Sequence, residues 1–436
     1  MNPWPFSVRI DGRLLDQPMK SRYRMSVVVA LVLSALMVTN PSTRASGSCA
    51  TDPTNACAAS KGLDEIPANI VRVGSVIGVV NGDVHEVFYY GTVNRSPRAP
   101  APTGTTLFAI GSITKTMTAT LLALYDRRGL VHIPSVPPKG PFNMQLEPRA
   151  TRLQEVLPPS SILPCPRKEI TLLDLADHHS GLPRNGKKTD TTVADLYADL
   201  AFCPGCICPG PPCSSCQPPG SYCYSNFGYM ILGHVLAGVT GAQTWAQVNQ
   251  SQIMQPLGMT DTNVQEGYTA AQDFAGRAAK GYWKNGSPSP QQGAEMMDSP
   301  AGGLWSTPDD MMRWLLYNMS PPGQSIVTTR AKAELLSLLP ALHYPRAAVE
   351  QHAQTDCTDG SEGVTTAERV GRAWQTTPLG ASGSRTAIIK GGSVGGFRAY
   401  IAFEPASKKG VFVLLNYSVD APDLGRVAKT TLLNLP

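Results

Sequence analysis

The chain has 436 residues, of which 42% are hydrophobic and 16% are charged. This length suits one large two-lobed domain or two domains, and the composition excludes a disordered or fibrous protein. The formal net charge is +5, but residues 1–45 hold six Lys or Arg and two Asp, which leaves +1 for the remainder. With so small a charge and no basic patch, we expect no nucleic-acid partner.

The first 45 residues have the order of a secretory signal. A basic stretch at residues 20–24 precedes the apolar run of residues 25–38 and the small-residue stretch of residues 43–45. The apolar run is too short for a comfortable membrane span. We therefore expect an exported protein, periplasmic or secreted, without membrane association beyond this segment. An uncleaved anchor is the alternative, and a start at Met19 would give a more ordinary signal.

The ten cysteines fit an oxidising compartment. Six of them crowd into one Pro-rich insert, residues 203–223, at Cys203, Cys206, Cys208, Cys213, Cys216 and Cys223. Their spacing resembles paired zinc knuckles, but export favours disulfide bonds over zinc. We therefore expect neither a metal nor a cofactor, and the pairing of the cysteines stays open. A zinc-stabilised interaction module around the insert is the alternative.

The predicted elements begin with a hairpin. Residues 71–80 are rich in β-branched side chains, residues 81–82 are an Asn-Gly turn signal, and residues 86–91 are the returning strand. Apolar residues then recur at helical spacing over residues 117–125, and Gly129 ends that helix.

The middle of the chain is predicted to be helix and loop, and its end returns to strands. We expect helices over residues 227–236, over residues 245–254 and from a cap at Thr307. The predicted strands are residues 386–389, 397–403 and 411–416, and residues 424–433 are the closing helix. Together these elements indicate a mixed α/β (α+β) fold, with one antiparallel sheet built from both termini and flanked by helices.

The predicted organisation therefore has three parts. Residues 1–45 are the signal peptide, and residues 46–70 are a Cys-containing linker. Residues 71–436 form the main domain, in which a mostly helical lobe, about residues 115–380, is inserted and carries the Cys-rich insert.

The first chemical motif is Ser112 followed three residues later by Lys115, at a predicted helix start. This spacing places both side chains on one face of the helix. A serine hydroxyl is a poor nucleophile until a base removes its proton, and the helix amino terminus offers N–H groups to a developing oxyanion. Alone the motif is weak, because a capping serine and a solvated lysine give the same pattern.

Two further motifs could complete such a site. Tyr224 stands two residues before Asn226; a tyrosine near a lysine can transfer protons, and an asparagine can hold a substrate amide. Lys390 precedes Gly392 and Ser393 after a predicted strand. Glycines let a substrate lie against the strand edge, the lysine can meet a carboxylate, and the Ser393 N–H can bind an oxyanion.

In this order, the three motifs match the serine triplets of β-lactamases and penicillin-binding proteins. The sequence resembles the class C β-lactamases and the related low-molecular-weight penicillin-binding D-Ala-D-Ala peptidases, in particular the AmpH type. The resemblance runs over residues 71–416 and includes residues 178–183, 224–228, 256–259, 302–308 and 390–397. It implies a β-lactamase/DD-peptidase-like fold with the site between the two lobes.

The resemblance also implies a serine hydrolase that acts on D-Ala-D-Ala-type peptides, β-lactams or both. It assigns the acyl-enzyme chemistry to Ser112, Lys115 and Tyr224. It assigns substrate binding, including the oxyanion donors, to Asn226, Lys390, Gly392 and Ser393. The expected partner is thus a small molecule or a peptidoglycan peptide, and we expect a monomer.

The sequence departs from the family at Gly391, where Thr or Ser is common. The missing hydroxyl favours, as an alternative, a carboxylesterase on the same fold; a penicillin-binding sensor without turnover is another. Residues 391–395 also fit a nucleophile elbow centred on Ser393, but that elbow needs a following helix and a strand is predicted there. His178 is a tempting base, although we expect it to structure its loop instead.

Overall fold

The computed structural model describes residues 54–134, 149–164, 167–187, 192–201, 222–242, 244–290, 299–320, 329–344, 347–348, 369–380 and 383–436. All of them fall within one structural unit, Leu36–Pro436. The predicted signal peptide lies outside the described residues, and so does all of the Cys-rich insert except its last two residues, Tyr222 and Cys223.

Strands from both ends of the chain form one antiparallel sheet, as predicted. The amino-terminal hairpin consists of β1 (Gly74–Asn81) and β2 (Val84–Gly91), and its turn contains Gly82 with φ +62°. A short sheet is formed by β3 (Phe108–Ala109), β4 (Asn263–Val264) and β5 (Leu304–Ser306). The other strands are β6 (Ala347–Ala348), β7 (Arg369–Val370), β8 (Gln375–Leu379), β9 (Arg385–Val394), β10 (Phe397–Glu404) and β11 (Lys409–Leu415).

The order of the large sheet is β2-β1-β11-β10-β9-β8-β7-β6. Strand β1 pairs with β11, so that Ile77 lies opposite Val413 and the two termini meet in the sheet. Successive side chains point to opposite faces of a strand. In β1, Val76 therefore contributes to one hydrophobic core and Ile77 to the other, and both are fully buried.

The two faces of the sheet are covered by helices. One face is covered by α1 (Asn55–Asp64) and by the closing helix, Ala421–Asn434. The remaining helices, in chain order, are α2 (Thr114–Arg127), α3 (Leu153–Val156), α4 (Leu172–Ala176), α5 (Val193–Ala201), α6 (Asn226–Val239), α7 (Trp245–Asn249), α8 (Gln255–Leu257), α9 (Phe274–Arg277), α10 (Ser299–Gly302), α11 (Pro308–Met319), α12 (Arg330–Leu336) and α13 (Leu339–Leu342), and the closing helix is α14.

The predicted helix starts are confirmed by their caps. The Ser225 hydroxyl accepts a hydrogen bond from the Gly228 N–H at the start of α6, and Thr307 caps α11 with Pro308 in the first helical position. The helix expected over residues 245–254 is α-helical only in α7 and continues as the π-helical turn Gln250–Met254.

Two observed features concern segments of the predicted organisation. The segment expected to be a linker contains α1, whose Ala58 and Ala59 are fully buried. A Cβ on Gly62 would overlap the Thr431 hydroxyl of α14, so the two helices pack closely. The lobe expected over about residues 115–380 also contributes β6, β7 and β8 to the large sheet. In the part of the chain that is described, no helix is long and apolar enough to span a bilayer.

Candidate active site

Ser112 and Lys115 lie at the junction between the sheet and the helices. Ser112 belongs to the 3-10 turn Gly111–Ile113, which runs directly into α2 and leaves the serine partly exposed. Lys115 is in the first turn of α2 and is fully buried. Its Nζ is 3.0 Å from Ser112 Oγ, so the three-residue spacing brings the two side chains together as predicted.

The Lys115 ammonium has three acceptors. Its Nζ donates to Ser112 Oγ, to Asn226 Oδ1 at 2.7 Å and to the carbonyl oxygen of Ala301, in α10, at 2.6 Å. An ammonium group carries three N–H donors, so each of them is used. These bonds offset the cost of burying the charge, and they fix Nζ beside the serine.

Tyr224 completes the contacts of the serine. Its hydroxyl donates to Ser112 Oγ at 2.9 Å. Three cations surround its ring: the nitrogens of Lys115 and Lys390 are 5.1 and 4.9 Å from the ring centroid, and the guanidinium carbon of Arg184 is 4.9 Å away. The phenol oxygen is thus within proton-transfer distance of the serine, and three positive groups lie beside its ring.

Arg184 is a site residue that the sequence analysis did not find. It follows Pro183 in a loop, and nothing in the local pattern marks it. Its backbone also holds the site, because the Arg184 carbonyl oxygen accepts the Asn226 N–H at 2.7 Å. Asn226 donates from Nδ2 to Asn185 Oδ1 at 2.8 Å.

Strand β9 brings the third motif to the same place. Lys390 is buried, and it lies just past the end of the pairing with β8, where Gln375 is opposite Ile389. Residues 390–394 pair with β10 on one side only, as far as the described strands show. This leaves a strand edge beside the serine that an extended ligand could follow.

Two glycines let this strand touch the chain before the serine. A Cβ on Gly392 would overlap the carbonyl oxygen of Ile110 and lie 3.2 Å from the Ser112 nitrogen. Gly111 has φ +50°, and a Cβ there would lie 2.6 Å from the Ser393 nitrogen. The backbone nitrogens of Ser112 and Ser393 therefore meet at one junction, which suits a pair of oxyanion donors.

Gly391 has no such requirement. A Cβ at this position would lie 3.4 Å from the ring of Tyr400, an ordinary contact. The departure from the family at this position is therefore not imposed by packing.

The alternative nucleophile does not have its required context. After Ser393 the chain turns at Gly395, with φ +48°, and enters β10. A nucleophile elbow needs a helix after the serine, so the strand expected from the sequence is confirmed and the elbow is excluded.

The His178 ring packs on the ring of Tyr224, and its described hydrogen bond is to the next residue, Ser225. Its Nδ1 accepts the backbone N–H of Ser225 at 3.1 Å. Burial, followed by the charges of Lys390 and Lys115, holds the pKa of His178 well below its usual range. The ring is thus neutral, and its acceptor nitrogen is already occupied. No group of three or more His, Cys, Asp or Glu side chains suited to a metal occurs among the residues with described positions.

Comparisons with known proteins identify the family of the chain. Residues 63–433 match the Beta-lactamase family model. A beta-lactamase of Pseudomonas fluorescens is 24% identical over 361 residues, which are 79% of this chain and 88% of the relative. The D-alanyl-D-alanine-carboxypeptidase/endopeptidase AmpH of Escherichia coli strain K12 is 26% identical over 360 residues, which are 79% of this chain and 80% of the relative.

Solved structures show the same fold. The D-alanine carboxypeptidase AmpC from Burkholderia cenocepacia superimposes with a TM-score of 0.66 at 24% identity, covering 87% of this chain and 99% of that structure. A class C beta-lactamase in complex with cefoxitin gives the same TM-score at 22% identity, covering 87% of this chain and 99% of that structure. The chain belongs to the beta-lactamase family of penicillin-recognising serine hydrolases, and it has the class C β-lactamase/DD-peptidase fold.

Proposed function

We propose that the chain hydrolyses acyl compounds through an acyl-enzyme on Ser112, with Tyr224 as the acid and base and Lys115 as the cation that balances the charge between them. One observation carries this proposal: Ser112 Oγ is within hydrogen-bonding distance of both Lys115 Nζ and the Tyr224 hydroxyl. A nucleophile and its proton acceptor must be in such reach for proton transfer.

In the proposed acylation, Tyr224 acts in its ionised form. The Tyr224 oxygen takes the Ser112 proton while Ser112 Oγ bonds to the acyl carbon. The N–H groups of Ser112 and Ser393 stabilise the resulting oxyanion, and each such donor contributes about 10²–10³ in rate. Tyr224 then gives the proton to the leaving group as its bond to the acyl carbon breaks.

Deacylation reverses these steps with water. Tyr224, again ionised, accepts a proton from a water molecule whose oxygen bonds to the acyl carbon. The bond to Ser112 Oγ then breaks, and the proton from Tyr224 restores the serine hydroxyl. Throughout, Lys115 stays bound to Asn226 and Ala301 and balances the negative charge that moves between the serine and the phenol.

We propose a carboxylate-bearing substrate, a D-Ala-D-Ala-type peptide or a β-lactam. Both carry a carboxylate close to the bond that is cleaved. Lys390 and Arg184 supply positive charge around Tyr224, and the edge of β9 suits a peptide-like backbone. The activities named for the relatives, a beta-lactamase and a D-alanyl-D-alanine carboxypeptidase, support the same class of substrate.

A carboxylesterase on the same fold is the second candidate, and Gly391 favours it. A hydroxyl at this position could hold a substrate carboxylate, and the structure leaves room for a Cβ there. With glycine at this position the hydroxyl is missing. An acidic substrate therefore loses one contact that a simple ester would not need.

We also propose export to an oxidising compartment. The order of basic, apolar and small residues before residue 46 supports it. Cys57 and Cys223 are the two cysteines with described positions, and each takes part in a disulfide bond. This supports disulfide bonds rather than zinc in the Cys-rich insert.

A substrate panel tests the proposed class. The wild type and Lys390→Met are assayed with benzylpenicillin, an N-acylated D-Ala-D-Ala peptide and p-nitrophenyl acetate. We expect kcat/KM of the wild type to be highest for one of the two carboxylate-bearing compounds, and the variant to lose about 10²-fold with it. The ester rate should change by less than about tenfold, because an ester has no carboxylate to bind. Hydrolysis of the ester alone would establish the carboxylesterase instead.

A further inference from the structure

We infer that His178 is a positioning residue: its Nδ1, acting as a fixed acceptor, holds the backbone that aims the Tyr224 hydroxyl at Ser112. The inference rests on the proposed function of Ser112 and Tyr224. It adds a role for a conspicuous buried histidine that exchanges no proton with the substrate.

The first observation is that His178 binds the backbone on both sides of Tyr224. Its carbonyl oxygen accepts the Cys223 N–H at 2.7 Å, and its Nδ1 accepts the Ser225 N–H at 3.1 Å. The residue between them is Tyr224. Two hydrogen bonds from one residue thus fix the backbone before and after the tyrosine, which leaves its side chain little freedom to turn.

The second observation is that the imidazole also packs on the phenol ring. The ring centroids of His178 and Tyr224 are 4.2 Å apart with an interplanar angle of 33°. The ring of Tyr229 also lies beside the histidine, with a centroid distance of 5.1 Å. Among the residues with described positions, the buried His178 Nε2 has no hydrogen-bond partner. The hydrogen bond of this side chain is therefore made by Nδ1, and the proton of the neutral ring lies on Nε2.

The third observation concerns charge. Lys390, Lys115, His179 and Arg184 all act on His178 electrostatically, and burial opposes its charged form still more. Protonation would remove the acceptor at Nδ1 and add a cation next to those around Tyr224. Burial and these charges thus keep the histidine neutral and able to accept the Ser225 N–H.

The backbone of His178 makes a clean test possible. Its φ is +65°, a region that histidine and asparagine tolerate better than most residues and that glycine enters freely. His178→Asn keeps an acceptor, Oδ1, one bond from Cγ as Nδ1 is, but loses the ring. His178→Gly loses both the ring and the acceptor. The two variants therefore differ in the acceptor while neither strains the backbone.

The experiment measures acylation of Ser112 by benzylpenicillin and by p-nitrophenyl acetate, using quenched reactions and mass spectrometry. We expect His178→Asn to stay within about fivefold of the wild-type acylation rate and His178→Gly to fall by about 10²-fold, the effect of losing an aligned proton carrier. The pH midpoint of the His178→Asn rate should equal that of the wild type. His179→Asn, one residue on and bonded to Asp177 instead, is the control and should acylate normally.

Three kinetic results would overturn the inference. Equal rates for His178→Asn and His178→Gly would show that the acceptor is not what positions Tyr224. A normal rate for His178→Gly would show that no positioning is needed. A shifted pH midpoint in His178→Asn would make the histidine a proton carrier.

A crystal structure of His178→Gly separates this inference from the proposed function. We expect the distance from the Tyr224 hydroxyl to Ser112 Oγ to exceed 3.5 Å, the limit of a hydrogen bond. An unchanged distance overturns the positioning role even if the wild type is acylated by neither compound. Failure of both compounds to acylate the wild type would count against the proposed function alone.

Discussion

The two sides of the site are held in different ways. On the sheet side, Gly111 and Gly392 pack backbone against backbone, without room for a Cβ. On the loop side, hydrogen bonds from residues 178–185 hold the segment around Tyr224: the Ser225 hydroxyl donates to the Pro183 carbonyl oxygen at 2.6 Å, and the Asn226 N–H reaches the Arg184 carbonyl oxygen at 2.7 Å.

This difference determines how each side responds to change. Steric contact between backbones tolerates no added atom, whereas a hydrogen-bonded loop tolerates any substitution that keeps its donors and acceptors. The proposed nucleophile and oxyanion donors are on the steric side, and the proposed proton carrier is on the hydrogen-bonded side. Substitutions on the sheet side should therefore reduce activity when they add volume. Substitutions on the loop side should reduce it when they remove a hydrogen-bond donor or acceptor.

Tyr224→Phe is expected to have the largest effect, and it tests the loop side. The substitution removes the hydroxyl that bonds to Ser112 Oγ at 2.9 Å and keeps the ring. Acylation should slow by about 10³-fold, within the range of general acid–base catalysis, while the melting temperature stays near that of the wild type. Stopped-flow acylation and thermal melting measure the two quantities.

Tyr222→Phe is the control, because this tyrosine is in the same segment and its ring lies beside His178 and His179. It should acylate normally. A Tyr224→Phe protein that acylates within about tenfold of the wild type would contradict the assigned role.

Gly392→Ala is expected to have the next largest effect, on the sheet side. The added Cβ would overlap the Ile110 carbonyl oxygen, so β9 must move away from the serine and carry the Ser393 N–H with it. We expect a loss of about 10²-fold in acylation and of about 1–3 kcal/mol in the free energy of unfolding, measured by denaturant titration.

Gly391→Ala is the matched control. The adjacent Cβ meets only the ring of Tyr400, at an ordinary distance, so both quantities should change little. Equal damage from the two alanines would mean that the strand end, and not the close approach to Ile110, is sensitive.

His343 gives the smallest predicted effect on activity, because none of its described hydrogen bonds or ring contacts involves Ser112, Lys115 or Tyr224. It is buried against Trp374 and Phe403, and burial lowers its pKa to about 3. As the pH falls, His343 therefore takes up a proton at a higher pH in the unfolded chain than in the folded chain. The stabilising contribution of the neutral ring is complete above about pH 6.5 and is lost as the pH falls from there towards 3.

His343→Phe keeps the aromatic packing and cannot titrate. Its free energy of unfolding at pH 7 should fall by about 1 kcal/mol, since the bond to Asn318 is lost. Between pH 6 and 4 the free energy of unfolding of the variant should decline less steeply than that of the wild type. The two slopes should differ by up to about 1.4 kcal/mol per pH unit. Parallel curves from denaturant titrations across this range would contradict the assignment.

Much of the fold and of the site could be predicted from the sequence. The turn at Gly82 and the helix cap at Thr307 depend on residues that are adjacent in sequence, so they could be predicted. The three motifs also specified chemistry at fixed spacing. Their meeting in space was an expectation of the family resemblance, and the distances around Ser112 agree with it.

Other features depend on contacts between distant residues and could not be predicted. Helix α1 has few large apolar residues, and its burial depends on α14, which is more than 350 residues away. The role of Arg184 arises only because its loop folds under Tyr224. For the same reason, the sequence indicated that His178 structures a loop but not which backbone groups it would hold.

The identity of the acylated serine is the most direct test of the central claim. The wild type and Ser112→Ala are incubated with benzylpenicillin or p-nitrophenyl acetate, and the adduct is located by intact-mass measurement and peptide mapping. We expect a single adduct on Ser112 in the wild type and none in the variant. An adduct that maps to Ser393, or that persists in Ser112→Ala, would contradict the account.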